Sequence, residues 1–257
     1  MKPFRVLTFV ALSSLARGAA TPDDALYTAV LQQHVRAGLV DYAALKNDSR
    51  LDTYLAQIAA MHPETLEQPA ARLAFWINAY NAYTLKLVAE HYPIKSIRDL
   101  STGGHYIGQL VGKTAWDIRF ADVGGKKFTL DEIEHQVLRP QFKDPRLHFA
   151  IVCAARSCPI LRNEAYTPQR LEEQLGLQGR WFMSWRNQFD LATRQARLSP
   201  IFEWFGEDFG ANQAEMLSFL ADYLSVEVAA SLRAAPDKWK VTYVVYDWSL
   251  NSREPTP

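Results

Sequence analysis

Hydrophobic positions along the chain fall mainly at helical spacing. Leu26, Val30, Leu31 and Val35 fall at i, i+4, i+5 and i+9, which predicts a helix over 23–38 ending at Gly38. Val40-Asp-Tyr is a short extended piece. Asp48 or Ser49 caps a second helix through Leu51, Leu55 and Ile58, and Pro63 breaks it. From Thr65 to His91 the chain predicts its longest helix. Residues 73–88 are apolar on nearly every face, the pattern of a buried rod. Val123-Gly-Gly125, between two short alternating runs, predicts a β-hairpin. Thr129-Leu-Asp-Glu132 has capping-box spacing and starts a helix. Leu147 to Val152 is rich in β-formers and predicts a buried strand. Thr167-Pro168 predicts a helix start, with the helix running to about Arg186; Gln195 to Ser199 is a strand. Residues 214–223 and 226–235 are helices, and 240–246 a final strand. The aromatic, acidic stretch Phe202 to Phe209 predicts a lid or a packed edge. The order suits an α+β fold, mostly helical, with a small, mainly antiparallel sheet.

The N-terminus changes the picture of the mature chain. Lys2 and Arg5 precede a short apolar stretch, Val6 to Ala16, and then Gly18-Ala-Ala20. That is the layout of a signal peptide over 1–20, too short to span a bilayer well, so a periplasmic or secreted protein is expected. The expected organisation is a helical region at 21–64, a globular domain at 65–250 and a loose tail at 251–257. The 28 basic and 28 acidic residues balance. No basic excess points to nucleic acid, and no membrane span is expected after cleavage. No cofactor is implied.

Candidate chemistry gathers around the two cysteines, Cys153 and Cys158, which follow the predicted strand bearing His148. A turn at a strand end holds a thiol rigidly yet openly. The plainer readings are small buried residues or a disulfide, and an exported protein favours the disulfide. On the helix after Thr129, Asp131 and Glu132 lie four and three residues before His135, so a carboxylate can orient that imidazole. Glu134 adjoins His135 but points elsewhere. Asn78 and Asn81 share one face of the buried rod. They either bind neighbouring backbone or line a polar cleft, because an unpaired buried amide costs about 1–3 kcal/mol.

Phe75-Trp-Ile-Asn-Ala-Tyr-Asn81, Leu130-Asp-Glu-Ile-Glu-His135 with Leu138-Arg139, Asp144-Pro-Arg, His148-Phe-Ala-Ile-Val-Cys153 through Cys158-Pro, and Ala165-Tyr-Thr resemble domain-of-unknown-function family 547. The likeness covers roughly residues 65–185, and Tyr246-Asp-Trp248 also looks familial. The family name carries no activity. A weaker resemblance, to papain- and transglutaminase-like cysteine enzymes, places Asn78 or Asn81 where a helix-borne cysteine would stand.

Three functions follow as expectations. The first is a cysteine-dependent hydrolase or acyl transferase acting on amide or peptide bonds, with a small-molecule or cell-wall substrate. Its catalytic set is Cys153 as nucleophile, His135 or His148 as base, Glu132 or Glu134 orienting, and Cys158 beside them. On a regular strand His148 and Cys153 face opposite sides, which favours His135. Binding falls to Asn78, Asn81, Tyr80 and Asp247, with the amides facing a developing oxyanion. The second is a non-catalytic periplasmic binding module with Cys153 paired to Cys158. The third is a zinc site from His135, His148, Cys153 and Cys158.

Overall fold

The computed structural model describes residues 21–100 and 114–253. The expected signal peptide, the Ser101–Gly104 link and residues 254–257 lie outside them. Helix α1 (Asp24–His34) begins where the Asp23 carboxylate accepts from the N–H groups of Ala25 and Leu26. It ends four residues before Gly38. The remainder turns back as a hairpin, β1 (Val35–Arg36) against β2 (Leu39–Val40), through Ala37 and Gly38 at positive φ. Gly38 is required twice over: its φ is 78°, and a Cβ there would stand 2.7 Å from the Ile160 side chain. A short helix α2 (Tyr42–Leu45) follows, then α3 (Ser49–Ala60), which Asp48 caps.

The long rod is α4 (Pro69–His91), buried at almost every position from Leu73 to Ala89. Hairpin strands β3 (Ala121–Val123) and β4 (Lys126–Phe128) turn at Gly124-Gly125, as the spacing predicts. Thr129 then makes the expected capping box with Glu132 and starts α5 (Leu130–Glu132). The chain continues through a π-helical stretch, Ile133–Leu138, into α6 (Arg139–Phe142). Widened turns of this kind recur at functional sites.

The expected buried strand at 147–152 is instead a helical turn, α7 (Leu147–Ala150), followed by extended backbone. Asp144-Pro-Arg folds into the turn: Leu147 N–H donates to the Asp144 carbonyl and His148 N–H to that of Pro145. No neighbouring strand is needed, because Asn81 stands in for one. Its amide donates to the Ala150 carbonyl (2.9 Å), and its oxygen accepts from Val152 N–H (2.9 Å). β-propensity loses here to the turn before it and to a side chain that satisfies the backbone.

Helix α8 (Leu171–Arg186) starts three residues later than the Thr167 cap predicts, since Gln174 from its first turn already accepts from Thr167 N–H. Next come β5 (Gln188–Asp190), β6 (Gln195–Leu198), α9 (Ile201–Trp204), α10 (Gly206–Phe209), α11 (Gln213–Ala221), α12 (Val226–Ala234) and β7 (Lys240–Tyr243). β6 pairs antiparallel with β5 and parallel with β7, the one parallel pairing among the described strands. The architecture is α+β and mostly helical, with small, mostly antiparallel sheets.

Two hydrophobic cores meet along a seam. The first joins α1, α3, α4 and the π-helical stretch; the second joins α8, β6 and the helices from α9 to α12. α7 lies across the seam, with Leu147 and Ala150 in the first core and Phe149 in the second. The last described residues are not loose. Asn251 is buried, exchanges hydrogen bonds with the Tyr42 hydroxyl and the Gly38 carbonyl, and its own carbonyl accepts from Val40 N–H. Arg253 pairs with Asp41 (2.6 Å).

Candidate functional site

At the seam the two cores leave a cleft of about 240 Å³. The π-helical stretch supplies Glu134 and His135, α7 supplies His148, the cysteine loop supplies Cys153 and Cys158, and α4 supplies Tyr80. Trp116, Trp204, Phe205, Tyr246 and Trp248 form an aromatic wall. Within it Tyr246 packs on Trp248 at 4.6 Å and on Trp204 at 4.9 Å between ring centroids.

Glu134 is 8% exposed. Burial pushes its carboxyl up to about 7, against the opposing pull of the Tyr80 hydroxyl and of Arg139. The Tyr80 hydroxyl donates to Glu134 Oε2 at 3.3 Å. Glu134 Oε1 lies 4.0 Å from His148 Nδ1. On its other side, His148 Nε2 meets Asp208 Oδ2 at 2.6 Å. Burial opposes ionisation of Asp208, but hydrogen bonds from His148 and Arg139 outweigh it and hold the carboxyl far below the usual range. An ionised Asp208 only accepts, so the hydrogen on the neutral imidazole is assigned to Nε2 and the Nδ1 lone pair faces Glu134. Burial also holds the His148 imidazole below its ordinary value, despite Asp208.

Arg139 ties these groups together. It grips Asp208 through Nε (2.6 Å) and Nη2 (3.0 Å), Glu207 through Nη2, and His135 Nδ1 through Nη1 (2.9 Å). Phe205 stacks on the His148 ring at 4.2 Å and lies under the Arg139 guanidinium at 5.3 Å. The aromatic, acidic stretch 202–209 is therefore a wall of the cleft and the source of Asp208, the anchor of His148.

Several sequence expectations are corrected here. Cys153 and Cys158 are joined as a disulfide, with Cα atoms 6.4 Å apart, so neither is a free thiol. The loop between them is short enough to bring the sulfurs together, and the segment after β7 clamps it: Arg156 N–H donates to the Ser249 carbonyl and Ser157 N–H to that of Asp247. The same bond removes both sulfurs from the zinc set of His135, His148, Cys153 and Cys158. Among the described residues no group of three or more metal-binding side chains converges. With α7 helical, the argument that opposite strand faces separate His148 from Cys153 lapses, and both line the cleft.

Glu132 does not orient His135; it closes the capping box and pairs with Arg119. The carboxylate beside His135 is Asp131, 3.6 Å from Nε2. Asn78 and Asn81 are structural rather than oxyanion donors. Asn78 both donates to the Tyr166 carbonyl and accepts from Tyr166 N–H, each at 2.8 Å, and Asn81 holds Ala150 and Val152. Asp247 lies outside the cleft lining, where its carboxylate accepts from the Ser249 N–H and hydroxyl. Tyr80 does line the cleft. Residues that sequence reasoning did not place in the site are Asp208, Arg139, Phe205, Tyr246 and three tryptophans. For Asp208 the available signal was its place in the aromatic, acidic run.

Residues 63–183 match the model of a family described as protein of unknown function, DUF547. No curated protein matches the chain, and no solved structure does. The matched segment holds α4, the π-helical stretch, α7 and the cysteine loop; Asp208, Phe205 and Tyr246 lie beyond it.

Proposed function

Because the family matched over residues 63–183, DUF547, has a description that assigns no activity, we propose from the cleft itself that the protein is an acid–base hydrolase acting on amide or peptide bonds. One observation carries the reading: two adjoining titratable groups in a cleft are pushed in opposite directions. Burial raises the Glu134 carboxyl to about 7 and lowers the His148 imidazole, with 4.0 Å between them. Groups whose protons are rebalanced in this way suit opposite roles in proton transfer.

His148, neutral and oriented by Asp208, takes a proton from a water at Nδ1 as that water attacks the carbonyl carbon. Protonated Glu134 gives its proton to the leaving nitrogen. The aromatic wall holds the apolar part of the substrate and excludes bulk water. Water is the nucleophile in this scheme, since the sulfurs are bonded to each other.

The test is turnover of a panel of peptide and amide substrates, cell-wall peptides included, by the wild type and by His148→Gln and Glu134→Gln. Cleavage by the wild type that drops at least 100-fold in each variant supports the reading. Equal rates in all three sink it.

A second reading, a binding module without chemistry, has its own support in the disulfide and in the two asparagines, whose amides are committed to backbone. It expects ligand retention with no turnover. Export, with a mature chain beginning near Thr21, is proposed from the charge and apolar pattern of residues 1–20. N-terminal sequencing of the protein recovered from its native host tests it: an intact Met1 end would refute it.

A further inference from the structure

The disulfide is part of the cleft wall, and its two sulfurs differ in surroundings. Cys153 is partly exposed, while Cys158 is 4% exposed. Cys158 Sγ accepts a hydrogen bond from Cys153 N–H at 3.2 Å. It lies 3.2 Å from the Tyr246 hydroxyl, and Cys153 Sγ lies 3.5 Å from the same oxygen. A disulfide sulfur has no hydrogen to give, so the hydroxyl is the donor. Cys158 Sγ thus has two donors, with the Tyr246 hydroxyl nearer to it than to Cys153; both cysteines line the cleft, and Cys153 is the more exposed of the two.

We propose that Cys153–Cys158 is a thiol–disulfide exchange centre, in which an external thiolate entering the cleft attacks Cys153 and Cys158 leaves. The incoming sulfur forms a bond to Cys153 Sγ. The Cys153–Cys158 bond breaks, and its electron pair goes to Cys158 as a thiolate. A second thiolate, from the same dithiol or another molecule, attacks the incoming sulfur and frees Cys153. The two thiol protons end on the two cysteines. The pair gains two electrons, and the external thiols are oxidised to their disulfide.

Direction comes from access and from leaving-group stabilisation. Exchange is faster when the leaving thiol is the more acidic one. Donors to a thiolate make it more acidic, and here both donors converge on Cys158. Tyr246 is itself fixed by Trp204 and Trp248, so its hydroxyl is already in place when charge arrives. The aromatic wall suits a thiol on an apolar carrier, such as a cysteine in an extended peptide. This activity is independent of the hydrolytic reading, which uses Glu134 and His148 and leaves the disulfide intact.

The experiment uses the folded full chain, with dithiothreitol and an unstructured cysteinyl peptide as the two thiol probes. Alkylation after acid quench, read by mass spectrometry, follows reduction. The native pair is expected to reduce far faster than the protein unfolds. With the peptide supplied as its own disulfide, Cys158→Ser should form a mixed disulfide at Cys153 and release one peptide thiol, and Cys153→Ser should react at least tenfold more slowly at Cys158. Tyr246→Phe should slow reduction about tenfold and shift the pH profile of Cys158 alkylation upward. Circular dichroism establishes that each variant is folded, and the tyrosine variant provides the test should either serine variant fail to fold. Reduction that proceeds only at the rate of unfolding would overturn the proposal. So would equal reactivity of the two cysteines, or a tyrosine variant that behaves as wild type. Reaction with dithiothreitol but not with the peptide would overturn the peptide carrier and leave a small-thiol centre.

Discussion

Replacing Glu134 by Gln removes one ionisable group from the cleft and keeps its shape and its contact with the Tyr80 hydroxyl. The wild-type carboxyl has an ordinary value of 4.5 in the unfolded chain and about 7 when folded. Below pH 4.5 both states carry the proton, so the stability difference between wild type and variant is constant. Between 4.5 and 7 the unfolded chain has released the proton and the folded chain keeps it. Unfolding then loses a proton, and wild-type stability falls as pH rises. Above 7 both states are ionised and the difference is constant again. Roughly two and a half pH units at about 1.4 kcal/mol each give a loss of about 3 kcal/mol. The carboxyl is almost fully buried, so solvent screening reduces this little. Urea unfolding of both proteins at half-unit steps from pH 4 to 9 measures the difference directly. A difference curve flat to within about 0.5 kcal/mol, or one that rises with pH, would show that Glu134 is not a desolvated carboxyl and would remove the main support for its role as an acid.

Other substitutions test other parts of the structure. Asn81→Ala leaves the Ala150 carbonyl and the Val152 N–H without their partner; we expect about 2–5 kcal/mol lower stability in urea titration, and a loss under 1 kcal/mol would refute the strand-substitute role. Gly38→Ala meets positive φ and the Ile160 side chain together, with an expected cost of about 2 kcal/mol measured by thermal unfolding. Asp208→Asn removes the anion that fixes the His148 tautomer. Any hydrolytic kcat should fall at least 100-fold with KM little changed, and an unchanged kcat would separate Asp208 from the chemistry. Titration of the folded, non-reduced protein with a thiol reagent should find no free thiol; two would contradict the Cys153–Cys158 bond.

The helices were legible in the sequence because their signals are local. Thr129 and Glu132 announce a capping box, the Gly124-Gly125 turn announces a hairpin, and the apolar rod of α4 announces its own burial. The 147–152 stretch was not legible, since its conformation is decided by Asn81, about seventy residues earlier. His148 was singled out, yet its partner Asp208 is sixty residues away and only the fold brings them together. The π-helical widening at Ile133–Leu138 follows from no local capping or spacing signal, and it is the stretch that carries both Glu134 and His135. The cysteine pair was foreseen as one of the open alternatives, because a five-residue separation permits a bond without requiring it.

The docking of Asn251 and Arg253 onto Gly38, Val40, Asp41 and Tyr42 also constrains how the protein is made. A chain emerging from the ribosome presents Tyr42 early, but the partner of its hydroxyl is synthesised about two hundred residues later. The cysteine loop waits about ninety residues for the carbonyls of Asp247 and Ser249. Until those residues leave the exit tunnel, the first hairpin and the sulfur-bearing loop lack their brace. An amber stop at codon 247 should therefore yield a polypeptide that proteases clear rapidly, although it retains every helix among the described residues.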